Sequence, residues 1–189
     1  LGWEHHSHIR NNLTQALGEF GDPRAIPALI TIAARESDLS SPSESLVRLG
    51  AIGRGAIGGI DFDRASTRGV AGIGECQEGD LDYEWSYVGR TTCKTMTSEV
   101  RVPLSIPPQL ARARGEVVVL LRAKSGVANQ PGHATLTIGR RRFGPIALDG
   151  TLREYRFVLP SAELRSGHVE AVITMGSASD VAELDHLLL

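Results

Sequence analysis

Apolar residues recur at helical spacing through the first third of the chain and at every second position through most of the rest, so the period alone divides the sequence in two. Ile9, Leu13, Ala16, Leu17 and Phe20 form one helical stripe, which predicts a buried helix face and a helix ended by Gly21. Asp22 and Pro23 supply a cap and a first-turn proline, and Ile26, Leu29, Ile30 and Ala33 mark a second stripe. Pro27 is tolerated only near the start of that helix, where its missing N–H has no partner to lose. In Ser41-Pro42-Ser43-Glu44, Ser41 takes an N-cap position and Glu44 the capping-box position, predicting a third helix over about 42–50.

After a glycine-rich passage over 68–79, Leu81, Tyr83, Trp85 and Tyr87 alternate with Asp82, Glu84 and Ser86, the pattern of a strand with one apolar face. Further strands are predicted over about 92–106, 116–124, 133–138, 142–148, 152–159, 168–175 and 183–189. Pro107-Pro108, Ser125-Gly126, Pro131-Gly132 and Ser166-Gly167 punctuate them. This many short strands in succession predicts an antiparallel sandwich or jelly roll.

The helical part is internally repetitive. The stretch LGEFG at Leu17 to Gly21 recurs as LGAIG at Leu49 to Gly53, and AIPALI at Ala25 to Ile30 is echoed by AIGGI at Ala56 to Ile60. A period of about thirty residues suits a helical hairpin that buries its apolar face by stacking on a neighbour. The first copy, Ala16 to Ile30, resembles the HEAT-like repeats of the phycobilin-lyase type; the second lacks the Asp-Pro and carries glycines where its second helix should run. The resemblance covers about 9–60 and implies a scaffold that binds proteins. The stretch GTLREYRFVLPSAELRSGHVEAVITMG followed by VAELDHLLL is similar to the end of galactose-binding-like jelly rolls, the fold of many carbohydrate-binding modules. The expected fold is therefore α+β and multidomain, the end of a short HEAT-like α-solenoid followed by an antiparallel jelly-roll sandwich. Its parts are helical repeats over 1–62, a glycine-rich linker or cap over 63–79 and the sandwich over 80–189.

Charge narrows the partners. Twenty basic against 22 acidic residues give a net charge of −2, so no global positive field draws the chain to nucleic acid or anionic lipid. The run Arg140-Arg141-Arg142 reads as a solvated turn. No apolar run reaches the roughly 18 residues of a membrane span. The chain opens on Leu1-Gly2-Trp3 without Met, which is expected of a piece of a longer protein or complex. Compartment stays open: the repeat favours the cytoplasm, a carbohydrate-binding module the outside of the cell. Cys76 and Cys93 are compatible with a disulfide or with two thiols.

Glycan recognition needs a flat aromatic face beside amide, carboxylate or guanidinium groups. The candidate ligand-binding residues are Trp85, Tyr87 and Arg90 in WSYVGR, and Asn129 and His133 with Gln130 in SGVANQPGH. Trp85, Tyr83, Tyr87 and Tyr155 suit a core as readily as a sugar platform. Gly53-Arg54-Gly55-Ala56-Ile57-Gly58 has G-x-G-x-x-G spacing, but the repeat explains its glycines and no dinucleotide site is expected. No nucleophile elbow, zinc-protease motif or P-loop occurs, so no catalytic residue, metal or cofactor is assigned. The expectation is a non-catalytic fragment that recognises a protein or glycan partner. Its alternatives are a carbohydrate-binding module beside a glycan-active domain, and a metal-dependent HEAT-repeat enzyme using Glu4, His5 and His8.

Overall fold

The computed structural model describes residues 3–36, 41–63, 67, 69–78, 91–127, 130–165, 168–177 and 179–189. The chain forms two compact units, residues 1–57 and 58–189. The first holds helices α1 (Trp3–Glu19), α2 (Ile26–Arg35) and α3 (Ser41–Arg48). Asp22 caps as its sequence position implies: its Oδ1 accepts the Arg24 N–H at 3.0 Å and starts a 3-10 turn, Pro23–Ala25, that leads into α2. Ile26, Leu29 and Ala33 form the buried stripe of α2.

Helix α1 departs from expectation. Its apolar stripe is largely exposed, with Phe20 at 84%, Leu13 at 60%, Ile9 at 51% and Leu17 at 37%. The face turned to α3 is made instead by buried Thr14 and Gly18. Ser45 donates its hydroxyl proton to the Thr14 carbonyl at 2.7 Å, and a Cβ on Gly18 would lie 2.6 Å from Ser45 Oγ. Absence of a side chain at Gly18 sets the helix separation, and a close approach through small residues leaves the larger apolar groups on the other side.

The second repeat keeps only its first helix. After α3 the chain passes through turns and enters strand β1 (Gly59–Asp61), so the echo AIGGI ends in a sheet. The remaining strands are β2 (Ile73–Glu78), β3 (Thr91–Thr95), β4 (Glu99–Ser105), β5 (Glu116–Ser125), β6 (Gly132–Ile138), β7 (Arg141–Leu148), β8 (Arg153–Pro160), β9 (His168–Met175) and β10 (Ala182–Leu188); a short helix α4 (Pro108–Ala111) joins β4 to β5. The strand expected over 92–106 is two strands, and the strand expected around Tyr83 and Trp85 lies outside the described residues.

All pairings among the described residues are antiparallel. One hydrogen-bonded path of order β2-β3-β10-β1-β4-β9-β6-β7, with β5 and β8 added beside β10, folds over itself into a jelly-roll sandwich. Strand β1 makes the turn from one layer to the other, because Gly59 pairs with Leu188 of β10 and with Ser105 of β4. Gly59 has φ +130, and a Cβ there would run into the Leu187 carbonyl oxygen, so only glycine fits this crossing. The sheet thus takes residues on both sides of the expected 62/63 boundary, and β2 occupies part of the expected linker.

Period-2 burial builds the core. Val100, Val102 and Leu104 of β4, Ala171 and Ile173 of β9 and Leu136 and Ile138 of β6 meet Val117, Val119 and Leu121 of β5, Leu159 of β8 and Leu184 and Leu187 of β10. Cys76 and Cys93 stand opposite each other in β2 and β3 and form a buried disulfide.

Candidate ligand-binding loop end

Four connections, at 96–98, 126–131, 149–152 and 176–181, gather at one end of the sandwich because β3, β5, β7 and β9 all finish there, beside the chain entering β2 at Gly72. Backbone hydrogen bonds lace them together. The Ser125 N–H donates to the Asp149 carbonyl at 2.6 Å, Gly126 to Val181 at 2.8 Å, Gly176 to His133 at 2.7 Å and Met175 to Ser98 at 2.8 Å. The hydroxyl of buried Ser125 lies 2.6 Å from the Gln130 carbonyl and accepts the Val127 N–H at 3.3 Å, which closes the β5–β6 connection on itself.

Two aspartates fix the rest. Asp180 accepts the Ser177 hydroxyl at 2.8 Å and the His133 N–H at 3.2 Å, and these bonds, the hydroxyl's foremost, hold its carboxyl below the usual carboxylate range. Asp149 accepts the Thr151 N–H at 2.9 Å and pairs with Arg153 at 2.9 Å. A Cβ on Gly176 would lie 3.0 Å from His133 Cβ and 3.1 Å from Asp180 Oδ2, so the glycine lets the β9–β10 turn close against β6.

Of the candidate residues, His133 and Gln130 are described. His133 is exposed at the start of β6 opposite Ala147, with both of its backbone groups engaged in the lacing. Gln130 is exposed beside it. Trp85, Tyr87, Arg90 and Asn129 lie outside the described residues, as does Tyr83. Tyr155 is settled as a packing residue: its ring lies against the core, its hydroxyl donates to the Ala147 carbonyl at 2.9 Å, and burial raises its pKa. Among the described residues the four connections carry no aromatic side chain. Their chemistry is that of carboxylates, hydroxyls, an amide and an imidazole, which suits a polyhydroxylated ligand. No cluster of His, Cys, Asp or Glu able to hold a metal occurs among the described residues, and the side chains of Glu4, His5 and His8 are outside them.

A second polar group escaped the sequence reading. Arg122 of β5 and Asp185 and His186 of β10 are buried, with Arg122 Nε 3.4 Å from Asp185 Oδ2, His186 Nδ1 3.6 Å from the same oxygen and His186 Nε2 3.9 Å from Glu154 Oε2. Burial lowers the Arg122 pKa against the opposing pull of Asp185 and Glu154. The signal was present as Asp-His inside an apolar final strand. The partners are distant in sequence, and only the β5–β10 register, with a shift between Leu184 and His186, brings them together.

The PBS lyase HEAT-like repeat family matches residues 9–34. No curated protein matches the chain. Solved structures similar to it include the CBM36-1 domain of a multidomain xylanase from the hindgut metagenome of Trinervitermes trinervoides, at 17% identity over 61% of this chain and 86% of that one, with a TM-score of 0.38. The CBM22-1 xylan-binding domain from Paenibacillus barcinonensis Xyn10C is similar at 13% identity over 69% of this chain and 90% of its own, with a TM-score of 0.43. A family 35 carbohydrate binding module from Clostridium thermocellum is similar at 12% identity over 61% and 88% of the respective chains, with a TM-score of 0.39.

Proposed function

We propose that the chain is a non-catalytic recognition module whose sandwich binds a glycan at the laced loop end. The observation that supports this most is the lacing itself: bonds among 96–98, 126–131, 149–152 and 176–181 hold polar groups in place before a ligand arrives. Preorganised loops on a rigid scaffold spare the ordering cost of binding. In this reading His133 and Gln130, with Asn129, hydrogen-bond sugar hydroxyls; Trp85, Tyr87 and Arg90 precede β3, whose finish rather than start lies among these loops, and are left out of it.

The test is a glycan-array screen of the full chain beside Asn129→Ala and His133→Ala, with Trp85→Ala as a comparison. Binding that falls in Asn129→Ala and His133→Ala but persists in Trp85→Ala is the expected result. A folded wild-type protein that retains no glycan refutes the reading.

A second reading concerns the helices. Exposed Ile9, Leu13, Leu17 and Phe20 form an apolar face on a segment that matches a HEAT-like repeat, a unit that buries such faces by stacking. Its occupant in this reading is another helical repeat of the same kind. Phe20→Asp should then weaken capture of a supplied HEAT-like repeat protein; unchanged capture refutes it.

A further inference from the structure

The opposite end of the sandwich has a different chemistry. Among the described residues three segments meet there: 106–116 between β4 and β5, the β6–β7 turn with the start of β7 at 139–142, and 161–165 after β8. They are tied to one another. The Ser161 N–H donates to the Gly115 carbonyl at 2.9 Å, and Glu163 Oε2 accepts the Arg140 N–H at 3.0 Å. Fully buried Leu164 anchors the last segment in the core, and Leu110 packs against the same core from α4.

This end presents Arg112, Arg114, Arg140, Arg141, Arg142 and Arg165, all exposed. Among the described residues none of the six guanidiniums is engaged in an ion pair or side-chain hydrogen bond. The acidic side chains on the same segments are Glu116 and Glu163. Because the whole chain is net −2, this concentration of cations leaves the remainder more strongly negative. The remainder repels anions, so an anionic ligand is held at this end.

The identity of the cations points further. Every one is arginine, whose planar fork binds a carboxylate through two parallel hydrogen bonds, which lysine cannot reproduce. Among the described residues the exposed large hydrophobics are Ile9, Leu13, Leu17, Phe20, Met96 and Val158, and none lies on these segments. The patch therefore lacks the apolar anchors that dominate protein interfaces.

We propose that this end is a second binding surface, separate from the laced loops, for a uronate-bearing polysaccharide whose carboxylates pair with these arginines. Three mutually hydrogen-bonded segments each offer guanidiniums, so a chain with a carboxylate on successive sugars can engage more than one. The surface shares no residue with the loop end, and each stands or falls alone.

The test is affinity electrophoresis of the full chain in gels containing polygalacturonate, with methyl-esterified polygalacturonate as the uncharged analogue and double-stranded DNA as competitor. Retention by the acid polymer that weakens with added salt is expected. Arg140→Ala/Arg141→Ala/Arg142→Ala should bind about tenfold more weakly, and His133→Ala should bind as the wild type does. If the triple alanine variant fails to fold, the corresponding triple lysine variant keeps the charge without the fork and should still bind several-fold more weakly. No retention of the wild type, equal retention by the esterified polymer, displacement by DNA at equal charge, a lysine variant that binds like the wild type, or loss of retention in His133→Ala would each overturn the proposal. A negative glycan array for neutral sugars leaves this result untouched, so the two readings fail separately.

Discussion

Replacing Gly18 by alanine sets a local rule against a tertiary one, and the structure decides the sign. Within a helix interior alanine is favoured over glycine by about 1 kcal/mol. Gly18, however, is buried against α3, and its new Cβ would lie 2.6 Å from Ser45 Oγ, 2.8 Å from Ser45 Cβ and 2.9 Å from Ser45 Cα. The Cα belongs to the backbone of α3, so a rotamer change at Ser45 does not relieve the contact and the helices must separate. Overpacking of this kind costs about 1–3 kcal/mol. Separation also stretches the buried Ser45 hydroxyl bond to the Thr14 carbonyl, now 2.7 Å, worth about 1 kcal/mol. Set against the propensity gain, the net loss is about 1–3 kcal/mol. Urea unfolding followed by circular dichroism at a helical wavelength measures it, since among the described residues the α-helices longer than one turn, α1 to α3, lie in residues 1–57. Ser45→Gly removes the two side-chain contacts, so the double variant should be less destabilised than the sum of the singles. An unchanged or more stable Gly18→Ala protein, or strict additivity in the double variant, refutes the close packing of α1 on α3.

Leu29→Ala removes a side chain with no exposed surface from α2 and should cost about 2–5 kcal/mol in the same assay, a loss near zero being incompatible with its burial. Cys76→Ser with Cys93→Ser opens a cross-link of sequence separation 17 and should lower stability by about 3 kcal/mol, read from thermal unfolding with and without reductant; wild type and variant should converge once the wild type is reduced. Asp180 has a folded-state pKa below its ordinary value, so its contribution is present above the unfolded pKa of about 4 and is lost as pH falls through the lower, folded one. The His133 amide should accordingly lose protection from hydrogen exchange in acid at the loop end in wild type, and already at neutral pH in Asp180→Ala. Equal protection in wild type and variant at neutral pH would show that the Asp180–His133 bond does not hold the turn.

Much of the architecture was legible from local pattern. The strands at 116–125, 132–138, 141–148, 153–160, 168–175 and 182–188 follow alternation and turn residues, because period-2 burial and glycine or proline punctuation are short-range properties. Helices α2 and α3 follow likewise from Asp22-Pro23 and Ser41-Pro42. The candidate site was less legible. A sequence names His133 as a polar loop residue, but its neighbours Asp180, Asp149 and Ser177 come from other connections and carry no shared motif.

By itself, then, the sequence determined a helical repeat followed by an antiparallel sandwich, since each element's period, caps and turns are encoded within a few residues of one another. Tertiary structure alone decided which side of α1 is covered, where a short β1 at Gly59–Asp61 carries the sheet between layers, that Cys76 meets Cys93, that Arg122 meets Asp185, and that arginines from three separate segments stand at one end. Each of those outcomes depends on contacts between residues far apart in the chain, and such contacts arise from register and close approach, which leave no periodic trace in the order of residues.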